Sequence, residues 1–275
     1  MPERYPAARE NALRETIHTG PIMKFSDPQF VSSKIFLIYE RHVMVRKSLF
    51  TLEEKFEGAF LAPEILPIPD EAPAEIPRGI FRSKHGYSNL SISQIRSELT
   101  TNYDSSFNKD FNKCFDYMIK KSNLFDRFLS VVAVSQVGLG CSINFRLPSL
   151  DDDEKVLAEK LERKLLSGLM CEGGLYDLRL SLARVVRDKL FLNTNLNNYR
   201  KYSSSKPIIS QNPRLCDLTL DEFGLEFSIE LNDKYGYNKG DKSCSISDLE
   251  DFINTIKSEI EKVKGKILGG ISGDK

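Results

Sequence analysis

Residues Phe128–Phe145 read FLSVVAVSQVGLGCSINF, the longest run in the chain rich in β-branched and small apolar residues. Phe128 to Val137 is expected as strand. Gly138 and Gly140 mark a bulge or bend before Cys141–Phe145 continues it. Upstream, Phe107, Phe111, Cys114, Phe115, Met118 and Ile119 recur at three- and four-residue spacing, the stripe of an amphipathic helix. Before that helix lie an extended Gly79-Ile80-Phe81 and a strand-like Leu90–Arg96. Pro77 to Pro148 therefore holds pieces able to bury one another, and the flanking segments read as additions to that core.

Further upstream, Lys34–Arg46 reads as a strand or hairpin. Pro63, Pro67, Pro69, Pro73 and Pro77 then exclude both a helix and a central strand, leaving an extended connection across the surface. Downstream, a helix is expected over about Asp151–Leu169. Ser149 is its N-cap, carboxylates fill its first turn, and Leu157, Leu161, Leu165 and Leu169 form its buried row. Gly173-Gly174 ends the connection. Tyr176, Leu178, Leu180 and Leu182 alternate with polar residues as in a half-exposed antiparallel strand. Arg184–Leu192 reads as a strand pair turning around Arg187-Asp188-Lys189, and the Asn- and Ser-rich stretch from Asn193 to Pro213 as a long loop with room for one short strand. Phe223, Leu225, Phe227, Ile229 and Leu231 point one way along a strand, with Glu226, Ser228 and Glu230 the other. A helix over Ser247–Ile267, with Ser247 and Glu250 as a capping box, carries the stripe Leu249, Phe252, Ile253, Ile256, Ile260, Val263 and Ile267. Strands arriving in runs between helices argue an α+β fold. Its antiparallel sheets carry amphipathic helices and form two related sheet-and-helix halves, 21–150 and 151–268. A polar arm (1–20) precedes them and a flexible glycine-rich tail (269–275) follows.

Lys plus Arg equals Asp plus Glu at 39 each among 275 residues, so no global charge draws the chain to nucleic acid or an acidic membrane. Cys114, Cys141, Cys171, Cys216 and Cys244 are odd in number and form no CxxC pair, which argues reduced thiols rather than a zinc site or a secreted scaffold. The N-terminus has no apolar h-region, and no apolar run approaches a bilayer span. The expectation is a cytoplasmic protein without a cofactor.

The run Ile80-Phe-Arg-Ser-Lys-His-Gly86, then Leu99-Thr-Thr-Asn-Tyr103 with Phe107 and Phe111, then Val137-Gly-Leu139 leading to Ile143-Asn144, and finally Leu225–Asn232 with the long terminal helix, resembles an uncharacterised, sporadically distributed family of prokaryotic proteins of similar length. The resemblance covers about Pro21 to Leu268. That family's strand near Gly138 tends to carry arginines and a tyrosine before the asparagine, where this chain has Gln136, Gly140 and Cys141. The resemblance implies no activity. Its patchy occurrence implies mobile genetic islands, where phage-defence systems accumulate.

His18, His42 and His85 do not combine with cysteines or carboxylates at metal-ligand spacing. Gly138-Leu-Gly140 does not open a helix, so a dinucleotide fingerprint fails, and no GxSxG elbow exists. Asp217, Asp221, Glu226, Glu230 and Asp233 are the carboxylates a metal-dependent nuclease or hydrolase would need at strand ends; strand alternation favours a solvated face instead. Arg78, Arg82 and Lys84 flank Phe81 and Tyr87, while Arg179, Arg184, Arg187 and Lys189 load the middle hairpin, a pattern suited to phosphate contact and base stacking. A mixed solvated surface is the favoured reading there too. The leading expectation is a non-enzymatic protein-binding or regulatory component with a protein partner or a homo-oligomeric state. The alternatives are the hydrolase and a nucleic-acid-binding accessory protein.

Overall fold

Among the described residues nine strands form one antiparallel sheet in the order β2-β3-β4-β5-β1-β6-β9-β8-β7. The computed structural model describes residues 23–151, 153–165, 175–204, 214–241 and 244–268. In chain order the elements are β1 (Gln29–Tyr39), α1 (Val45–Lys55), β2 (Glu64–Ile65), β3 (Gly79–Arg82), β4 (Ser88–Ile92) and β5 (Arg96–Asn102). Next come α2 (Phe111–Ser122), α3 (Leu124–Val132), β6 (Gln136–Pro148), α4 (Glu154–Leu165) and β7 (Arg179–Val186). The chain continues through β8 (Leu190–Ser203), β9 (Thr219–Asn232), α5 (Lys234–Asn238) and α6 (Leu249–Leu268). The class is α+β. The sheet runs without a break past residue 150, because β6 pairs with β1 on one side and β9 on the other.

One register row shows how the core is made. Phe81, Leu90, Leu99, Ile35, Cys141, Leu231 and Leu192 lie side by side across seven strands, and all are buried. The helices carry the matching stripes. Val45, Leu49 and Leu52 of α1 are buried, as are Cys114, Phe115 and Met118 of α2. So are Leu249, Phe252, Ile253, Ile256 and Ile260 of α6, which lies over β6 and β9. Burying such rows against one another is the main driving force for this layer arrangement. The opposite face is polar: Lys34 pairs with Glu98 at 2.8 Å and Arg146 with Glu226 at 2.6 Å.

Several elements differ from their sequence reading. Phe128–Val132 is helix, not strand. Leu124, Phe125, Phe128 and Val132 fall on one buried face, and left-handed Ala133 (φ 49°) ends the helix by donating to the Leu129 carbonyl. Helical spacing there outweighs β-branched content. The Lys34–Arg46 segment is strand only to Tyr39; α1 begins at Val45. Leu90–Arg96 breaks at a turn where the Ser93 hydroxyl accepts from the Ile95 and Arg96 amides, at 3.3 and 3.0 Å. The supposed loop after Asn193 is strand β8 as far as Ser203. Its Asn composition argues against a strand, but Leu190, Leu192, Thr194 and Leu196 alternate inward and both neighbours supply ladders.

Two caps also move. Asp153, not Ser149, caps α4 by accepting from the Lys155 amide at 2.8 Å. The capping box before α6 is Ser245 with Asp248. Of the α4 row, Leu157 and Leu161 are buried while Leu165 is exposed; Leu169 lies outside the described residues. The arm (1–20), Gly173-Gly174 and the tail (269–275) also lie outside them. The proline segment is extended through β2 and then departs from the expected extended run in two turns, where the Ala72 and Ile76 amides donate to the Pro69 and Pro73 carbonyls. Arg46 and Arg78 hold the segment by donating to its backbone carbonyls.

Candidate protein-binding edge

The two edges of the sheet are built differently. β2 has two residues and prolines on either side, which is how an edge is normally blunted. β7 has eight residues and no proline, and among the described residues it pairs only with β8. In an antiparallel ladder alternate residues then direct their N–H and C=O groups outward, leaving a template for another strand. The turn from β7 into β8 holds Arg187 (φ 51°) and Asp188 (φ 59°) left-handed, the twist a tight hairpin needs.

The inner face of β7 continues the core rows but is incompletely covered. Leu180 lies opposite Leu196 and is half-buried; Leu182 lies opposite Thr194 and is 58% exposed. The row that is apolar on seven strands ends on β7 in Arg184, which lies opposite Leu192. Arg184 reaches across to α6 and donates to Glu259 at 2.7 Å, and Arg187 donates to Thr255 at 2.9 Å. Polar tethers thus replace apolar packing between α6 and β7. On the outer face Val185 is 43% exposed. Arg179 is exposed and has no ion pair among the described residues.

The basic residues singled out from sequence do not form one surface. Arg78 is fully buried, and its guanidinium donates to the carbonyls of Ile76 at 2.6 Å and Ala72 at 2.9 Å. A cation spent inside the fold cannot contact phosphate. Arg82 is paired with Glu64 at 3.1 Å, Arg184 with Glu259, and Arg187 with Asp251 at 3.8 Å. Lys84 and Lys189 are exposed. Arg82 and Arg184 lie on β3 and β7, seven strand spacings apart in the sheet order, roughly 34 Å along the sheet.

The carboxylates are equally dispersed. Glu226 is held by Arg146, and Glu230 accepts from Asn232 at 2.7 Å. They share a face about 13 Å apart at ~3.3 Å per residue. Asp217 pairs with Arg214 and Asp221 accepts from Ser203. Asp233 is buried and accepts from the Leu139 and Cys244 amides, both at 2.9 Å. Burial raises its pKa above the ordinary carboxylate range, and those amides offset only part of the rise. Among the described residues no group of three or more His, Cys, Asp or Glu could hold a metal ion, and no helix is long and apolar enough to cross a membrane.

A second exposed apolar feature lies near the other edge. Phe50 and Leu61, 61% and 52% exposed, line an open basin with Glu53, Glu54 and Lys84. Sequence reasoning missed both features. Leu182 fits the alternation of a half-buried strand, and only the strand order places it at an edge.

Comparison with protein-family models finds no matching family, and comparison with curated proteins finds no match.

Proposed function

We propose that this chain is a non-enzymatic protein-binding or regulatory component acting in the cytoplasm, with β7 as its docking edge. One observation carries the reading: an eight-residue edge strand, paired on one side only among the described residues, holds Leu182 in solvent. Exposed strand edges with apolar side chains are where sheets recruit other chains. The resemblance to a sporadic prokaryotic family supports placing the protein in a phage-defence or other mobile-island system.

The reading includes two related halves. A long strand, a helix, a three-strand meander returning to the long strand, and a closing helix occur twice. β1, α1, β3-β4-β5 and α2 make the first set; β6, α4, β7-β8-β9 and α6 the second. The long strands β1 and β6 pair antiparallel at the centre, as an approximate two-fold axis would require.

Co-expression with the products of neighbouring genes tests the docking edge. A complex should form with the wild-type chain and be lost in Leu182→Asp at an unchanged melting temperature. Complexes indifferent to that change would overturn the reading. The hydrolase alternative has its own test: stoichiometric Mg²⁺ or Mn²⁺ uptake, abolished in Glu226→Gln/Glu230→Gln, would replace the binding role by a catalytic one.

A further inference from the structure

The docking edge also carries information about its partner. From Leu178 to Arg187 the chain holds Arg179, Arg184 and Arg187 and no acidic residue, although the whole protein is electrically balanced. Arg179 has no ion pair among the described residues, and Arg184 stays half-exposed beside Glu259. A second copy of β7 would set its own unpaired Arg179 and half-exposed Arg184 against the same arginines, and charges on an edge are a common device against self-pairing. An acidic strand meets the opposite condition: its carboxylates are attracted where another β7 is repelled.

Resting on the proposed docking role of β7, we infer that the occupant is an extended segment of a partner protein, added as a tenth strand and alternating apolar with acidic residues. The spacing follows from strand geometry. Arg184 and Leu182 point to the helix-covered face, Arg179 and Val185 to the other, and residues directly opposite across a ladder share a face. An antiparallel segment would therefore read apolar, acidic, any, apolar, any, any, acidic, facing Val185, Arg184, Ala183, Leu182, Ser181, Leu180 and Arg179 in turn. A parallel segment would read the same pattern reversed. In both the two acids stand five residues apart, because Arg179 and Arg184 do.

Random decapeptides displayed on phage and panned against the full chain test this. The recovered sequences should carry two acids at that spacing with an apolar residue between them. A synthetic copy should slow amide hydrogen exchange along β7, and Arg179→Glu should weaken its binding about tenfold, the loss of one favourable charge contact and its replacement by a repulsion. Exchanging the facing acid of the peptide for lysine should restore binding to that variant. Peptides that protect the Phe50–Leu61 basin instead would overturn the inference while leaving a protein-binding role in place. Failure to enrich any sequence would overturn both. Displacement of the peptide by oligothymidylate, with the same β7 amides protected by the oligonucleotide, would assign the arginines to phosphate and end the strand-addition reading.

Discussion

The Arg184 guanidinium donates to the Glu259 carboxylate at 2.7 Å, tying the edge strand to the 20-residue helix α6. Glu259 lies on α6 with only 9% of its side chain exposed and also accepts from Lys262 at 2.6 Å. Burial alone would raise its pKa. The hydrogen bonds from Lys262 and Arg184 outweigh that and hold it below the ordinary range.

A depressed carboxyl stabilises the fold fully above its unfolded pKa, about 4.3, and the contribution fades as pH falls through the lower folded value. Arg184→Ala should therefore move the Glu259 titration upward, read by carboxyl carbon chemical shifts. The share of the melting-temperature fall on acidification that Glu259 contributes should shrink, because its folded and unfolded pKa values move closer together. An unmoved titration would mean that Lys262 alone sets it. Asp233 has the opposite sign, since its raised pKa favours the fold below its unfolded value.

Ile256 is fully buried on α6. Ile256→Ala should cost ~2–5 kcal/mol in denaturant unfolding, the loss of transfer free energy plus a cavity. An unchanged unfolding midpoint would make this face of α6 a docking surface rather than core.

Gly140 lies directly opposite Phe36, and a Cβ there would come within 2.2 Å of the Phe36 ring. The Arg96 guanidinium sits over the same ring, 4.5 Å from its centroid. Gly140→Ala should displace the ring and cost about 1–3 kcal/mol, as overpacking does. Phe36→Leu should recover part of that loss if the ring is the obstacle; no recovery would point to the backbone.

Arg78 should behave as a structural clamp. Arg78→Lys cannot satisfy the carbonyls of Ala72, Pro73 and Ile76 with the same fork and should cost about 1–3 kcal/mol. Proteolysis within 63–77 should quicken, while any affinity for oligothymidylate stays unchanged. A fall in that affinity without loss of stability would return Arg78 to a nucleic-acid surface.

The cysteines offer a chemical check on burial. Burial pushes the Cys114 thiol up to about 12 and also raises Cys141 and Cys244, whereas Cys216 is exposed. In a Cys171→Ser background, one thiol should react with Ellman's reagent in the native state and three more only after denaturation. Rapid reaction of more than one would show that the core opens locally.

Much of the fold is local chemistry, and so the sequence by itself determined it. The α2 stripe, the α6 stripe and the alternation from Phe223 to Leu231 each state a period, and a period needs no partner to be read. The antiparallel α+β class follows from strands arriving in runs. Where local signals conflicted, tertiary structure decided. Asn193–Ser203 has loop composition and strand alternation, and it became strand because β7 and β9 offered ladders on both sides. Phe128–Val132 has strand composition and helical spacing, and it became helix because Tyr39 of β1 waits 5.3 Å from the Phe128 ring. The site was less legible still. Arg78 and Arg179 are the same residue type in similar surroundings of sequence. One is spent on carbonyls inside the fold and the other is exposed at the edge. Only the order of strands in the sheet separates them, because burial is fixed by neighbours distant in the chain.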